Sequence, residues 1–233
     1  MTLTEPTPPP ARRPWRIAAM VLGGLALVPV VVLALHTVAH PPTPLMLWRM
    51  ASGETVTRSW TPLAAVDRRL VVAVIASEDN GFCGHAGIDW DELMEVIDEE
   101  GGPSRGGSTI TMQVTKNLML WNGRSVLRKA LEIPLAMLVD LAWSKERILE
   151  TYLNIAEWGP TGEFGAEAGA RRAFGKGAGR LSPHEAALLT VMLPNPHIRD
   201  AAKPSPRLAR VAAIIERRAA RSPELADCIA PGR

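Results

Sequence analysis

The residues best suited to acid/base chemistry lie in one short stretch. Glu78, Asp79, His85 and Asp89 follow directly after the apolar run at residues 70–75. Side chains at the end of a buried element are held rigidly, as a catalytic carboxylate requires. Apolar neighbours also raise the pKa of a carboxyl group toward neutral pH, where it can act as a general base. Carboxylates that only terminate a solvated helix would give the same pattern, so the interpretation depends on the rest of the chain.

Two further polar groups lie on predicted helices. Helical spacing places Thr109, Gln113 and Lys116 on one stripe of a helix at residues 108–117. Such a stripe either faces solvent or lines a binding site.

A small charged cluster interrupts an otherwise apolar helix predicted at residues 125–143. It consists of Arg128, Lys129 and Glu132, which lie within one helical turn and can interact. An ordinary ion pair within a helix is one explanation. Because almost every other residue of this helix is apolar, we expect the cluster to face a cleft.

The composition favours a helical protein and excludes several classes of function. Aromatic residues make up 5% of the 233 residues, while Ala and Leu are abundant, which favours helices over sheets. The net charge of +2 is too small to indicate nucleic-acid binding. Cys83 and Cys228 are too few for a disulfide framework or a zinc cluster. They could pair in an oxidising compartment, although their spacing does not require it.

The N-terminal part predicts a membrane anchor. Arg12, Arg13 and Arg16 flank residues 17–39, which contain no Asp, Glu, Lys or Arg. A segment of this length can cross a bilayer as a helix, and the basic flank places its N-terminal end in the cytoplasm. A cleaved signal peptide is the alternative, but the apolar run is long for one and no convincing cleavage site precedes His40. An uncleaved anchor is therefore predicted.

The chain divides by pattern into five segments. They are a cytoplasmic tail at residues 1–16, the anchor at 17–39, a linker and the start of the periplasmic region at 40–60, the main helical domain at 61–221, and a loosely ordered tail at 222–233. Thr61-Pro62 predicts the start of one helix that runs on into Glu78. Ser144, Ser182 and Ser205 are predicted N-caps, and the glycines at residues 101–107 predict a flexible loop.

The chemical residues fall into motifs that match a known family in the same order. The first motif of the peptidoglycan glycosyltransferases resembles E-D-x-x-F-x-x-H-x-G-x-D, which begins at Glu78, and the second resembles G-G-S-T-I-T-x-Q-x-x-K-N, which begins at Gly106. The third is similar to R-K-x-x-E from Arg128, and the fourth to R-I-L-E-x-Y-L-N from Arg147. Several ordered motifs are far more specific than one. The match spans about residues 62–218 and leaves no room for a transpeptidase domain, so the sequence resembles the monofunctional biosynthetic peptidoglycan transglycosylases.

This resemblance implies a mainly α protein, with a lysozyme-like helical glycosyltransferase domain, a small membrane-proximal jaw and one N-terminal transmembrane helix. It implies polymerisation of lipid II into β-1,4-linked glycan strands with release of undecaprenyl diphosphate. The α-linked donor becomes β-linked, which implies a single inverting displacement. Expected partners are lipid II, the growing glycan strand and the membrane, with cell-wall synthesis proteins as further candidates and no nucleic acid. The expected location is the inner membrane, in a single pass, with the catalytic domain in the periplasm.

The resemblance also implies roles for individual residues. Glu78 is the expected general base and Glu132 the second essential carboxylate. The expected substrate-binding residues are Thr109 and Gln113 for positioning, and Lys116, Arg128, Lys129 and Arg147 for the departing diphosphate. The residues expected to support the motifs are Asp79, Phe82, His85, Glu150 and Asn154. Mg²⁺ or Mn²⁺ would bind mainly through the substrate diphosphate.

Two alternative functions stay open at this point. A lysozyme-like hydrolase or lytic transglycosylase would cleave glycan, but it has little use for cations placed at a leaving diphosphate. An inactive, membrane-anchored scaffold for cell-wall assembly is the other alternative, and the presence of both Glu78 and Glu132 weakens it.

Overall fold

The computed structural model describes residues 14–98, 107–121, 123 and 125–229, in two compact units. The first unit ends at Pro41 and consists of helix α1 (Pro14–Val38). Its stretch Trp15–Val38 is long and apolar enough to cross a membrane, as the sequence predicts. The predicted tail at residues 1–16 and the predicted glycine loop at 101–107 lie almost entirely outside the described residues.

The second unit begins at Pro42 and is mainly helical. Its helices are α2 (Pro44–Ala51), α3 (Arg68–Glu78), α4 (Trp90–Asp98), α5 (Ile110–Met119), α6 (Val126–Ala142), α7 (Lys145–Ile155), α8 (Ala166–Phe174), α9 (Pro183–Thr190) and α10 (Pro206–Arg221). Strands β1 (Thr57–Arg58) and β2 (Glu163–Phe164) form a parallel pair, with Thr57 opposite Glu163. Short 3₁₀ helices lie at Leu63–Ala65, Ala178–Arg180 and Pro223–Ile229.

Two buried helices position the chemical residues. Every residue of α3 from Leu70 to Ala76 is buried, because α9 and α10 pack against it. Helix α5 packs between α6 and α7, and its apolar residues Ile110 and Val114 are fully buried. Glu78 is thus the last residue of a rigid core helix, and Gln113 lies within a second one.

Serine side chains fix the starts of several helices, as predicted. The hydroxyl oxygen of Ser144 accepts a hydrogen bond from the Arg147 amide, and that of Ser205 accepts one from Leu208. Ser182 and Glu185 form a complete capping box at the start of α9.

The single helix predicted from Thr61-Pro62 to Glu78 is wrong in its first part. A short 3₁₀ helix at Leu63–Ala65 is followed by extended Val66, and α3 then starts anew behind Asp67. The Asp67 carboxylate accepts a hydrogen bond from the Arg69 amide, which makes it the N-cap. The apolar spacing continues across the break, so periodicity alone did not reveal it.

Residues 40–60, predicted as a linker and the start of the periplasmic region, contain α2 and β1. The hydroxyl oxygen of Thr43 caps α2, and Pro44 occupies its first turn. Strand β1 pairs with a strand about a hundred residues later, a contact that no local pattern shows. Gly162 allows this approach: its φ is +86°, and a Cβ there would lie 1.9 Å from the Thr55 carbonyl oxygen.

The C-terminal segment is ordered where the sequence predicted a loose tail. The 3₁₀ helix Pro223–Ile229 buries Ala226 and Ile229. Cys228 within it forms a disulfide with Cys83, with the two Cα atoms 5.6 Å apart. The pairing that the sequence left open is therefore present, and it attaches the C-terminal segment to the loop that follows Glu78.

Replacing both cysteines by serine should lower the stability of the domain. A disulfide that closes a long loop typically contributes about 2–4 kcal/mol to the free energy of unfolding. Thermal unfolding in detergent, with and without a reducing agent, measures the effect for wild type and for Cys83→Ser/Cys228→Ser. Wild type should fall to the level of the variant when reduced, while the variant should not respond. A wild type that is equally stable in both conditions would contradict the expectation.

Candidate active site

Asp79 joins the end of α3 to the start of α5. Its side chain is only 2% exposed. One carboxylate oxygen accepts a hydrogen bond from the Ile110 amide at 2.8 Å, and the other lies 2.9 Å from Nε2 of His85. Asp79 and His85 therefore fix the first motif against the second, which is the supporting role that the sequence suggested for them.

Residues of α6 and α7 stabilise the loop that follows Asp79. Phe82 is fully buried, and the Lys145 ammonium lies 4.8 Å from the centroid of its ring. Lys145 also donates hydrogen bonds to the His85 carbonyl and to Asp140. Phe82 thus supports the motif as expected, whereas Lys145 and Asp140 were missed. The signal in the sequence was a lysine five residues after an aspartate, across the boundary between two predicted helices.

Thr109 is buried and forms its hydrogen bonds within the protein, and its predicted substrate-positioning role stays a prediction. The side chain is 3% exposed, and its hydroxyl donates to the Gly87 carbonyl at 2.6 Å. The same oxygen accepts a hydrogen bond from the Met112 amide and so caps α5. The only proton of the hydroxyl is used inside the protein, so Thr109 stabilises the motif.

Glu78 lies at one end of a chain of hydrogen bonds. The amide nitrogen of Gln113 donates to a Glu78 oxygen at 3.1 Å, and the Tyr152 hydroxyl donates to the Gln113 oxygen, also at 3.1 Å. Burial raises the pKa of Glu78, and the hydrogen bonds from Gln113 and Ser77 only partly oppose this effect. A carboxyl group with a raised pKa is a suitable general base. Tyr152, which sequence reasoning did not assign a role, completes the chain.

A basic cluster surrounds the second carboxylate. Glu132 is 3% exposed; Arg128 donates a hydrogen bond to one of its oxygens, and the Lys129 ammonium lies 3.6 Å from the other. Lys129 also donates to the Ser108 hydroxyl at 2.7 Å. Burial, together with the charges of Arg128 and Lys116, lowers the pKa of Lys129 to about 8. The buried carboxylate therefore holds two cations whose mutual repulsion it offsets.

The charge of Lys116 interacts with the charges of both Glu78 and Arg128. Its pKa is lowered by burial and by the charge of Arg128, and the charge of Glu78 acts in the opposite direction. Lys116 also lines a cavity of about 350 Å³ together with Gln113 and Tyr152. Glu78 lines a second cavity, of about 870 Å³. The side chain of Gln113, which lines the first cavity, donates a hydrogen bond to Glu78. Gln113 therefore contacts Glu78 and lines the same cavity as Lys116.

Residues of the fourth motif form hydrogen bonds with the segment before α3. The Asn154 amide exchanges hydrogen bonds with the Thr61 backbone at 2.7 and 2.9 Å, and Glu150 accepts one from the Leu63 amide. Arg147 contacts Glu150 and the rings of Trp60 and Trp143. Glu150 and Asn154 have the supporting contacts that we expected. The contacts of Arg147 are also of this kind, and its predicted role at a diphosphate stays a prediction.

The comparisons with known proteins agree with this geometry. The family described as Transglycosylase matches residues 46–219. A biosynthetic peptidoglycan transglycosylase of Rhodopseudomonas palustris (strain HaA2) is 54% identical over 93% of this chain and 96% of its own length. Proteins of the same name from Nitrobacter winogradskyi and Brucella suis are 53% and 47% identical, with 96% of each covered.

The chain therefore belongs to the transglycosylase family. This confirms the resemblance deduced from the motifs, including a mainly helical, lysozyme-like domain. The match begins at residue 46, so β1 and most of α2 belong to the family domain. From the sequence we expected this domain to start at residue 61.

Replacing Gln113 by methionine should move the acid limb of the pH–activity profile to higher pH. Methionine removes the amide that lowers the pKa of Glu78, so the base takes up its proton at a higher pH. The measurement is kcat/KM as a function of pH for glycan transfer. Tyr152→Phe, which keeps the Gln113 amide, should shift the limb less. An unmoved limb in Gln113→Met would show that this bond does not control the ionisation of Glu78.

Proposed function

We propose that the chain polymerises lipid II into the β-1,4-linked glycan strands of peptidoglycan and releases undecaprenyl diphosphate. The observation that supports this best is a partly buried carboxyl group, Glu78, whose charge interacts with that of Lys116, while Lys116 also interacts with Arg128 of the basic cluster. The reaction needs both parts, because the nucleophile must lose a proton while the leaving group gains negative charge. Membership of the transglycosylase family supports the same reaction.

Glu78 acts as the general base. It removes the proton of the 4-hydroxyl of the acceptor GlcNAc, and that oxygen attacks the anomeric carbon of the donor MurNAc. The bond from this carbon to the diphosphate oxygen breaks, and its electron pair leaves with the diphosphate. One displacement inverts the anomeric configuration and needs no covalent glycosyl-enzyme. The partly buried position of Glu78 supports this role, because burial raises its pKa toward the working pH.

Lys116, Arg128 and Lys129 stabilise the departing diphosphate. Cations that are already in place stabilise developing charge without having to reorganise. Glu132 does not touch the reacting atoms in this mechanism, since its oxygens face Arg128 and Lys129. It is a positioning residue, which holds the two cations at the correct separation.

A divalent metal, Mg²⁺ or Mn²⁺, stays a proposal for the substrate diphosphate. Within the described ranges, no group of three or more His, Cys, Asp or Glu side chains could hold a metal ion. Both oxygens of Glu132 already face cations, so a resident metal does not fit there. An ion that arrives with the diphosphate needs few protein ligands, and no step above depends on one.

Helix α1 suggests a membrane anchor, and through it the protein acts at the membrane. We propose that Arg12, Arg13 and Arg16 keep its N-terminal end in the cytoplasm, so that the second unit lies in the periplasm. The Cys83–Cys228 disulfide supports this orientation, because such bonds persist in oxidising compartments. Cell-wall synthesis proteins are proposed as further partners.

Replacing either essential carboxylate should abolish polymer synthesis. Glu78→Gln removes the base and should lower kcat about a hundredfold or more. Glu132→Gln leaves Arg128 and Lys129 without their counter-ion and should also reduce turnover strongly. The measurement follows lipid II consumption, glycan polymer and released undecaprenyl diphosphate for the detergent-solubilised chain.

The matched control is Glu146→Gln, an exposed carboxylate on α7 that should leave turnover unchanged. A wild type that only cuts preformed glycan would place the protein with the hydrolases. A wild type with neither activity would favour the alternative of an inactive scaffold for cell-wall assembly.

Lys129 should give the enzyme an alkaline limit. Its pKa is lowered to about 8, so the side chain loses its charge as the pH rises through that value. The value of kcat/KM should therefore fall as the pH rises above about 8. The value of kcat should fall only at a higher pH, because bound diphosphate favours the protonated lysine. Lys129→Arg keeps its charge at high pH and should move the limb upward. Lys176→Arg, at an exposed position, serves as the control. An unchanged limb in Lys129→Arg would show that another group sets it.

A further inference from the structure

The exposed side of α10 is strongly basic. Helical spacing places its large exposed residues on one stripe about 120° wide, opposite the buried Leu208, Ala212 and Ile215. Glu216, the only acidic residue of the helix, lies outside this stripe and pairs with His184 at 3.0 Å. The stripe, which we call the basic face, consists of Arg207, Arg210, Val211, Ile214, Arg217, Arg218 and Arg221.

Only part of this arrangement stabilises the helix itself. The helix dipole favours cations in the last turn, which holds Arg218 and Arg221, but it disfavours them in the first turn, where Arg207 lies. Arginines three or four residues apart also repel one another. Within the described part of the chain, no carboxylate pairs with Arg207, Arg210, Arg217 or Arg221. A surface that only faces water could carry mixed charges at lower cost, so a face of one sign indicates an anionic partner.

The basic face reaches the cavity beside Glu78. Arg218 lines the cavity of about 870 Å³ that Glu78 also lines, and its guanidinium donates to the Ala76 carbonyl at 3.3 Å. From Arg218 the face continues along α10 for about 16 Å to Arg207. Helix α4 lines the same cavity with acidic residues, namely Asp91, Glu92 and Glu95. The cavity therefore has one acidic wall and one wall that leads onto the basic face.

We propose that the basic face binds the carboxylates of the peptides carried by the growing glycan strand, and so holds the strand along α10 where it leaves the cavity. This inference rests on the proposed function. Each MurNAc of lipid II carries a short peptide with free carboxylates, so a strand built from it is an anionic polymer. Arginine binds carboxylates through two parallel hydrogen bonds, while the acidic wall of α4 repels them. The peptides thus decide along which wall the strand lies.

An anionic membrane surface is the other ligand that a basic helix can have. A helix that lies on a membrane inserts an apolar face beside its basic one. The apolar face of α10 is buried against α3 and α9. Val211 and Ile214, the two aliphatic residues of the basic face, are only 39% and 47% exposed. The structure therefore favours an extended anionic polymer over a lipid surface.

The test measures the binding of uncrosslinked glycan strands to the detergent-solubilised full chain, without lipid II, so that no turnover occurs. Strands that keep their peptides are compared with strands from which an amidase has removed them. We expect wild type to bind the peptide-bearing strands more tightly. In Arg207→Gln/Arg210→Gln/Arg217→Gln this affinity should fall about tenfold, because three exposed ion pairs are lost. The affinity for stripped strands should stay unchanged, and salt should weaken binding more in wild type than in the variant.

The matched control is Arg171→Gln/Lys176→Gln/Arg180→Gln, which removes three charges from exposed positions on and after α8. It should bind both kinds of strand as wild type does. An equal fall in this control would assign the effect to net charge and overturn the proposal. A variant of the basic face that unfolds at the same temperature as wild type and keeps its affinity for peptide-bearing strands would also overturn it.

Mixed micelles that contain phosphatidylglycerol test the membrane alternative. If they bind wild type more tightly than the variant of the basic face while the strands show no such difference, the face binds lipid headgroups and the proposal is wrong. Polymer synthesis from lipid II is measured separately. A wild type that makes no polymer would overturn the proposed function, whereas a loss of peptide-dependent strand binding concerns the basic face alone.

Discussion

The buried carboxylate of Asp79 is the interaction on which the rest of the site depends. It ends the core helix α3, accepts the first free amide of α5 and binds His85, all within a nearly water-free environment. An ionised group at such a place is costly unless it is fully hydrogen-bonded, so the three elements have little freedom to separate. Glu78 and Gln113 face each other because Asp79 fixes the two helices that carry them.

The site also shows why catalytic geometry opposes stability. Burial raises the pKa of Glu78, which means that its ionised form is less stable in the folded protein than in the unfolded chain. This destabilisation is absent at low pH, grows as the pH rises from the ordinary pKa of a glutamate toward the raised pKa, and is fully present above the raised pKa. The lysines of the basic cluster have lowered pKa values for related reasons. The well-packed core around α3 must offset these costs.

Sequence reasoning identified the motifs and most of the helices but misjudged what lies between them. Serine caps and apolar spacing are local signals, and they predicted α6, α7 and α10 almost to the residue. The strand pair and the Arg49–Glu157 contact join distant parts of the chain, for which local patterns carry no signal. The break before Asp67 was missed because the apolar spacing continues across it. The motif did not predict the hydrogen bond from the Thr109 hydroxyl to the Gly87 carbonyl, because a motif gives a residue type without giving its contacts.

The Cys83–Cys228 bond makes the loop after Glu78 depend on a residue that is far away in the sequence. The two cysteines are 145 residues apart. The covalent link beside Glu78 can therefore form only after residue 228 has been synthesised, and it persists only in an oxidising environment. A chain that stops before Cys228, or one kept under reducing conditions, would keep Glu78 and every cation but lack this closure. Oxidation thus adds a covalent constraint to a site whose charged residues are all supplied by earlier parts of the chain.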